Sequence, residues 1–317
     1  MATGERLSRR ALLLGGASAM AVPLSGACSL SRGGLPPCPA VPQPPPARLT
    51  ATFFGTTSIL FRGPEGAILS DGFVTRVPRL ALAGPIASDR TRVAATWKRL
   101  GEPEIAAVFT GHSHYDHAMD APTFAELTRA TLVGSRSTCN LGRIARLPEW
   151  QIKEVRSGES VRYGGFELTF LPSLHGRGDL ASGTIDAPFT IPAPVTAWKT
   201  GTVWSVFVRH AQRTLLVHGS AGYVPGALQG HRADVVYLGI GRLSRRVESY
   251  WNEVVVATGA RRVIVVHWDD FFRSLDEPLR PMRGFASTMR ALRRLAGSRV
   301  ELVVPCPWEP ADPFAGL

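Results

Sequence analysis

The chain has 317 residues, 44% of them hydrophobic and 19% charged, which describes an ordinary globular protein with a sizeable core in one large α/β domain or two small ones. Its 36 basic and 25 acidic residues give a formal charge of +11, a surface suited to anionic substrates or lipid headgroups and equally to solvated arginines. The four cysteines, Cys28, Cys38, Cys139 and Cys306, are too scattered for a metal or redox motif.

The amino terminus reads as a targeting segment, residues 1–27, and not as part of the fold. Ser8-Arg9-Arg10-Ala11-Leu12-Leu13-Leu14 is a twin-arginine pattern followed by an apolar stretch to Ala27. That stretch contains Gly15, Gly16 and Pro23 and is shorter than the ~20 residues a spanning helix needs. It resembles a bacterial Tat signal, and the expected location is periplasmic or at the cell surface. Cleavage before Cys28 would leave small residues upstream and a cysteine first, the pattern of a lipoprotein anchored in a membrane; a plain cut after Ala27 is the alternative. With Cys28 acylated, at most one disulfide forms among the other three cysteines, and Cys139 and Cys306 are equally readable as buried thiols. Residues 28–48 form a stiff proline-rich tether, and the domain runs from 49 to 317.

The domain opens with a strand at 49–55 and a second at 67–70, ending in Asp71. Arg76 and Arg79 follow as candidate contacts for an anionic substrate. Helical periodicity appears at 91–100, 122–130, 248–258 and 285–296. Strand-like runs occupy 105–109, 160–171 (broken by Gly164-Gly165), 203–209, 214–218, 235–240, 262–267 and 300–304. The 176–201 stretch interrupts strand-like sequence directly after His175, and its length suggests a substrate-shaping lid.

The most informative segment follows the 105–109 strand: Thr110-Gly111-His112-Ser113-His114-Tyr115-Asp116-His117. Three imidazoles and a carboxylate within six positions suit zinc and similar first-row divalent metals. Alternation in an extended segment sends His112 and His114 to one side, and the turn that follows can deliver Asp116 and His117 to an adjacent position.

At these residues the chain resembles the metallo-β-lactamase superfamily, whose hallmark is His-x-His-x-Asp-His at the end of a core strand. The resemblance extends to Asp71 after an early strand, His175 after Phe170-Leu171-Pro172-Ser173-Leu174 and His267 after Val263-Ile264-Val265-Val266. It implies an αββα sandwich of two mixed β-sheets flanked by helices. It also implies that His112, His114 and His175 form one metal position and Asp116, His117 and His267 a second. Asp116 would orient the nucleophilic water and take its proton, and Asp71, with Asp269 as a weaker candidate, would fix an imidazole tautomer from outside. One departure stands out. The family places a bridging aspartate in a Gly-Asp-Ser/Thr-Gly turn, whereas this chain reads Gly219-Ser220-Ala221-Gly222. Loss of that carboxylate raises the Coulombic cost of two adjacent dications, so one tightly held Zn²⁺ and a weak second ion are expected. His218, two residues earlier, would either substitute as a ligand or form hydrogen bonds in the core. Tyr115 and Tyr223 are candidate donors to a developing oxyanion, with packing as their other duty.

The expectation is an exported metal-dependent hydrolase acting on a small ester, lactone or phosphodiester-type substrate. The alternative is a non-catalytic metal- or ligand-binding lipoprotein. No nucleic-acid partner is expected, since the signal points to export and no clamp domain is present.

Overall fold

The computed structural model describes residues 35, 38, 48–187, 189–243 and 246–317. The targeting segment and Cys28 lie outside the described residues. In chain order the elements are β1 (Thr50–Phe53), β2 (Ile59–Gly63), β3 (Gly66–Ser70), β4 (Pro85–Ile86), α1 (Arg90–Arg99), β5 (Ile105–Phe109), α2 (Tyr115–Ala118) and α3 (Ala121–Thr128). They continue with β6 (Thr131–Gly134), α4 (Arg136–Ile144), β7 (Ile152–Glu154), β8 (Ser160–Tyr163), β9 (Phe166–Ser173), β10 (Ala193–Pro194), β11 (Val203–His210) and β12 (Arg213–His218). The chain ends with β13 (Val235–Gly239), α5 (Val247–Trp251), β14 (Arg262–Val266), α6 (Phe285–Ala296), β15 (Glu301–Val303) and β16 (Pro310–Ala311).

Two seven-stranded sheets carry the fold, in the orders β16-β1-β2-β3-β5-β6-β7 and β15-β14-β13-β12-β11-β9-β8, with β4 and β10 as a separate short pair. Each large sheet joins antiparallel strands to a parallel run: β3-β5-β6-β7 in the first, β12-β13-β14-β15 in the second. Such strands are buried on both faces and read as continuous apolar runs, as in residues 263–266 of β14, all buried. The inner faces meet in one core that includes Phe61, Phe109, Phe170, Val206, Leu216 and Tyr237. The Phe61 and Tyr237 rings contact edge to face at 5.4 Å. On the outer face of the first sheet, Val93 of α1 and Phe124 of α3 pack over Leu69 and Val108. The αββα sandwich is therefore the observed architecture.

The predicted helices match α1, α3, α5 and α6, although α5 passes into a π-helical turn over Asn252–Val256. The pattern in the sequence does not mark β2, β6, β7 and α4, nor the short β4, β10, β16 and α2. Cys306 is not a thiol: it is joined to Cys38 by a disulfide, which ties the proline-rich segment to the carboxy-terminal part of the domain. Cys139 is free and buried. Among the described residues no helix is long and apolar enough to cross a membrane.

The two sheets converge where their parallel strands end. The segments after β3, β5, β9 and β14 carry Asp71, the histidine run, His175 and His267, so residues far apart in sequence share one rim.

Candidate metal centre

The histidine run leaves β5 as an extended turn and enters α2 at Tyr115. It is held from outside: Trp204 N–H donates to Gly111 O at 2.7 Å, and Ser113 N–H to Thr200 O at 2.9 Å. His112 and His114 face each other as alternation requires, with Nε2 of the first 3.2 Å from Nδ1 of the second. The His175 ring stands 5.0 and 4.6 Å from theirs, centroid to centroid. One donor atom from each of these three residues lies within 4.8 Å of the other two, and the same holds for Asp116, His117 and His267. In the second group Asp116 Oδ2 is 3.7 Å from His117 Nε2 and 3.4 Å from His267 Nε2. The His112 and His117 rings are 3.9 Å apart, so the two groups adjoin.

Carboxylates outside each group fix the imidazoles. His117 Nδ1–H donates to Asp71 Oδ2 at 2.6 Å, which leaves Nε2 as the free lone pair facing Asp116. Asp71 also accepts from Gly111 N–H at 3.1 Å through Oδ1, so it sets both ring and loop. Its φ of +56° is rare for a residue with a side chain and aims the carboxylate at both donors. His114 Nε2 lies 3.1 Å from Asp179 Oδ1 and 3.0 Å from Thr200 Oγ1, and the Thr200 hydroxyl itself donates to Asp179. This arrangement turns His114 Nδ1 toward His112. Asp179 and Thr200 were missed as functional residues; nothing in their local sequence marks a loop carboxylate that meets a histidine 65 positions away. His175 Nδ1–H donates to Gly176 O at 2.8 Å, leaving its Nε2 for the centre.

Burial, then the neighbouring imidazoles, pushes His112 well below the ordinary histidine range and His175 down to about 4, so both rings are neutral at pH 7. For His117 burial works in the same direction, but the Asp71 and Asp116 charges outweigh it and its pKa rises. The two negative charges that favour a proton there also favour a metal cation. Burial would raise Asp116, yet His117 and His267 outweigh it and hold the carboxyl far below the usual range. The donors fit a divalent metal: five imidazole nitrogens and a carboxylate oxygen, three to a group, with room for further ligands in each. His112 Nδ1 and His267 Nδ1 are buried without a hydrogen-bond partner.

Other expected residues lie elsewhere or act differently. His218 takes its core role: Nδ1 accepts from Ser205 Oγ at 2.8 Å and Nε2–H donates to Gly222 O at 2.7 Å, so neither nitrogen is left for a ligand. Ser220 is at the cleft, and its Oγ accepts from Gly176 N–H at 2.9 Å. Tyr223 packs on the core with its ring 6.4 Å from that of Tyr250 and is not among the residues lining the cleft; Tyr115 is. Arg76 is not available to a substrate, because its fully buried side chain pairs with equally buried Asp269 at 2.7 Å. Asp269 is thus an internal carboxylate that also receives Thr56 N–H at 2.8 Å. Thr56 O in turn accepts His267 N–H at 2.6 Å, so Asp269 positions His267 through the backbone. The Arg79 guanidinium stacks 4.4 Å above the Phe272 ring, which lines the cleft.

The centre lies at the floor of an open cleft with about 920 Å³ of empty space. Its apolar walls are Leu82, Leu180, Val195, Trp198, Phe271 and Phe272. The 176–201 loop supplies one side, through residues from Gly176 to Trp198, and is pinned to the histidine run by the Asp179 and Ser113 hydrogen bonds.

An αββα sandwich with two adjoining sets of metal-ligand side chains where its sheets converge is the fold and site of the metallo-hydrolases. The chain belongs to the beta-lactamase superfamily: residues 77–268, more than half the sequence, match the family described as Beta-lactamase superfamily domain. Solved structures agree at the level of fold. Igni18, a metallo hydrolase from the archaeon Ignicoccus hospitalis, is 15% identical over 83% of this chain and 97% of its own, with a TM-score of 0.51. CmlA, a diiron beta-hydroxylase from Streptomyces venezuelae, is 16% identical over 85% of this chain and 55% of its own, at 0.57. The isothiocyanate hydrolase from Delia radicum gut bacteria is 13% identical over 83% and 98%, at 0.51. No curated protein matches the sequence.

Proposed function

We propose that the protein is an exported, metal-dependent hydrolase of a small ester, lactone or phosphodiester-type substrate, holding one Zn²⁺ tightly and a second weakly. The observation that carries this reading is the convergence of His112, His114 and His175 with Asp116, His117 and His267 at the floor of an apolar-walled cleft. A divalent cation bound there supplies Lewis acidity and lowers the pKa of water toward neutrality. The residues around it do the rest. Asp116, ionised and set between His117 and His267, orients the attacking water and takes its proton. Asp71 and Asp179 hold His117 and His114 in the tautomers that leave their inward nitrogens unprotonated. Trp198, Phe271 and Leu180 exclude bulk water from the substrate. The twin-arginine segment supports export and Cys28 a lipid anchor, and the Cys38–Cys306 disulfide is in keeping with an oxidising compartment.

The test is turnover of p-nitrophenyl esters, a lactone panel and bis(p-nitrophenyl) phosphate by purified protein, with and without a chelator. Hydrolysis lost on chelation and restored by Zn²⁺ is expected. Metal bound in stoichiometric amount with no turnover across the panel would overturn the reading in favour of a binding protein.

A further inference from the structure

The cleft joins the metal centre to one arginine placed differently from the rest. Arg242 follows Gly241, whose backbone is so close to a ligand that an added Cβ would stand 2.8 Å from His267 Nδ1. Its guanidinium reaches across to the opposite loop and lies over Gly178: a Cβ there would be 3.1 Å from Nη2, 3.2 Å from Cζ and 3.3 Å from Nη1. Gly178 is three residues past the ligand His175. The side chain therefore spans from the loop after β13, which packs against the His267 ring, to the loop that follows His175. It does so from a backbone φ of +57°, a conformation costly for a side-chain-bearing residue and of the kind that clusters at binding sites. Among the described residues no carboxylate lies within ion-pair distance of Arg242 or of Arg177, which lines the same cleft. The facing walls are apolar, and Leu180, 84% exposed, stands on the same loop as Gly178.

We propose that Arg242 is the anion-binding residue of the cleft and that the substrate is an amphiphilic anion, its charged group on the guanidinium and its apolar body against Leu180, Trp198, Phe271 and Phe272. The guanidinium offers a planar fork to a carboxylate or phosphate. The inference rests on the hydrolase reading for the word substrate, and on Arg242 and the walls alone for the ligand class.

Two measurements separate the ideas. The first is the ratio of kcat/KM for an anionic ester, mono-p-nitrophenyl glutarate, to that for neutral p-nitrophenyl pentanoate. The wild type is expected to prefer the anion, and Arg242→Ala to lose roughly five- to tenfold of that ratio, mainly through KM. Arg242→Lys recovers part of it, and Arg299→Ala, an equal change in net charge at an exposed site, leaves it unchanged. The second is calorimetric binding of phenyl phosphate, inorganic phosphate and benzyl alcohol to metal-loaded protein, which needs no turnover. Phenyl phosphate should bind tightest, and both phosphates, but not benzyl alcohol, should weaken roughly five- to tenfold more in Arg242→Ala than in Arg299→Ala. Equal affinity for phenyl and inorganic phosphate would overturn the apolar part, and identical binding by both variants would overturn the role of Arg242. Absence of all turnover would sink the hydrolase reading while the binding arm still decides this one.

Discussion

Replacing Arg76 with methionine is expected to destabilise the protein by about 3–5 kcal/mol, although Arg76 touches no ligand to the metal centre. Both Arg76 and Asp269 have fully buried side chains and meet at 2.7 Å. Removing a charge from water costs several kcal/mol per ion, offset here by the pair itself. Asp269 has one further donor, Thr56 N–H at 2.8 Å, so Arg76→Met leaves a buried carboxylate with a single backbone hydrogen bond. The guanidinium also fills the space beside Gly55, where an added Cβ would stand only 1.9 Å from Nη2, and methionine fills it less well. The assay is urea unfolding of wild type, Arg76→Met, Asp269→Asn and the double variant. For a chain of this size each kcal/mol lowers the melting temperature by about 2–4 °C, so the single variant should melt roughly 6–20 °C lower. The double variant should lose much less than the sum of the singles, because each single leaves the other's charge stranded. Metal retention should weaken in step, since Thr56 also fixes the backbone of His267. A loss below about 1 kcal/mol in Arg76→Met, or strict additivity in the double variant, would refute the argument.

His218 gives a pH prediction. Burial holds its pKa at about 4, below its unfolded value near 6.5, so its contribution is fully present above pH 6.5 and is lost as pH falls toward 4. Between pH 6.5 and 5 the loss is about 2 kcal/mol, and His218→Gln, which does not titrate, should flatten the slope of unfolding free energy against pH in that window by this amount. An unchanged slope would show that other groups carry it. Ser220→Asp should raise the bound metal toward two ions per chain by elemental analysis, and an unchanged count would show that residue 220 does not face both ligand groups. Reduction of Cys38–Cys306, which closes a separation of 268 residues, should cost about 2–4 kcal/mol in thermal unfolding. No change on reduction would mean that the Cys38–Cys306 cross-link adds nothing to the folded state.

The fold and the six residues that converge as candidate ligands were legible because both write themselves in local pattern. Buried strands such as β14 appear as apolar runs, and the candidate ligands follow the ends of three core strands, β5, β9 and β14. Helix α4 was hard to read for a physical reason: polar Ser137 and Thr138 are buried beside Cys139 and Leu141 on its inward side. Thr138 Oγ1 meets Thr110 Oγ1 at 2.7 Å and Ser137 Oγ accepts Ile185 N–H at 2.9 Å, so hydrophilic residues break the apolar periodicity. Its remaining signal was the N-cap, Ser135, which accepts from Thr138 N–H. The residues around the centre were harder still. Asp179, Thr200 and Asp269 act through contacts spanning 65, 86 and 213 positions, and no local spacing encodes such a meeting. Arg76 misled because an arginine after a metal-site loop looks like a substrate contact until its carboxylate partner is known.

The distribution of carboxylates ranks the two metal positions. Asp116 is the carboxylate within the two candidate ligand groups, and it belongs to the group of His117 and His267. Asp71 adds a second negative charge to that group through His117. The other group is three imidazoles and receives its charge indirectly, from Asp179 through His114. Two carboxylates against one, with one of them able to touch the cation, should make the Asp116 group the first to fill, by a Coulombic margin that grows in its buried surroundings. Co²⁺ titration under chelator competition checks this. Asp71→Asn should weaken the first equivalent roughly 10- to 100-fold, the range for loss of a carboxylate behind a ligating histidine, whereas Asp179→Asn should weaken the second and leave the first near the wild-type value. The opposite pattern would mean that the three imidazoles outbid the extra charge of Asp116 and Asp71.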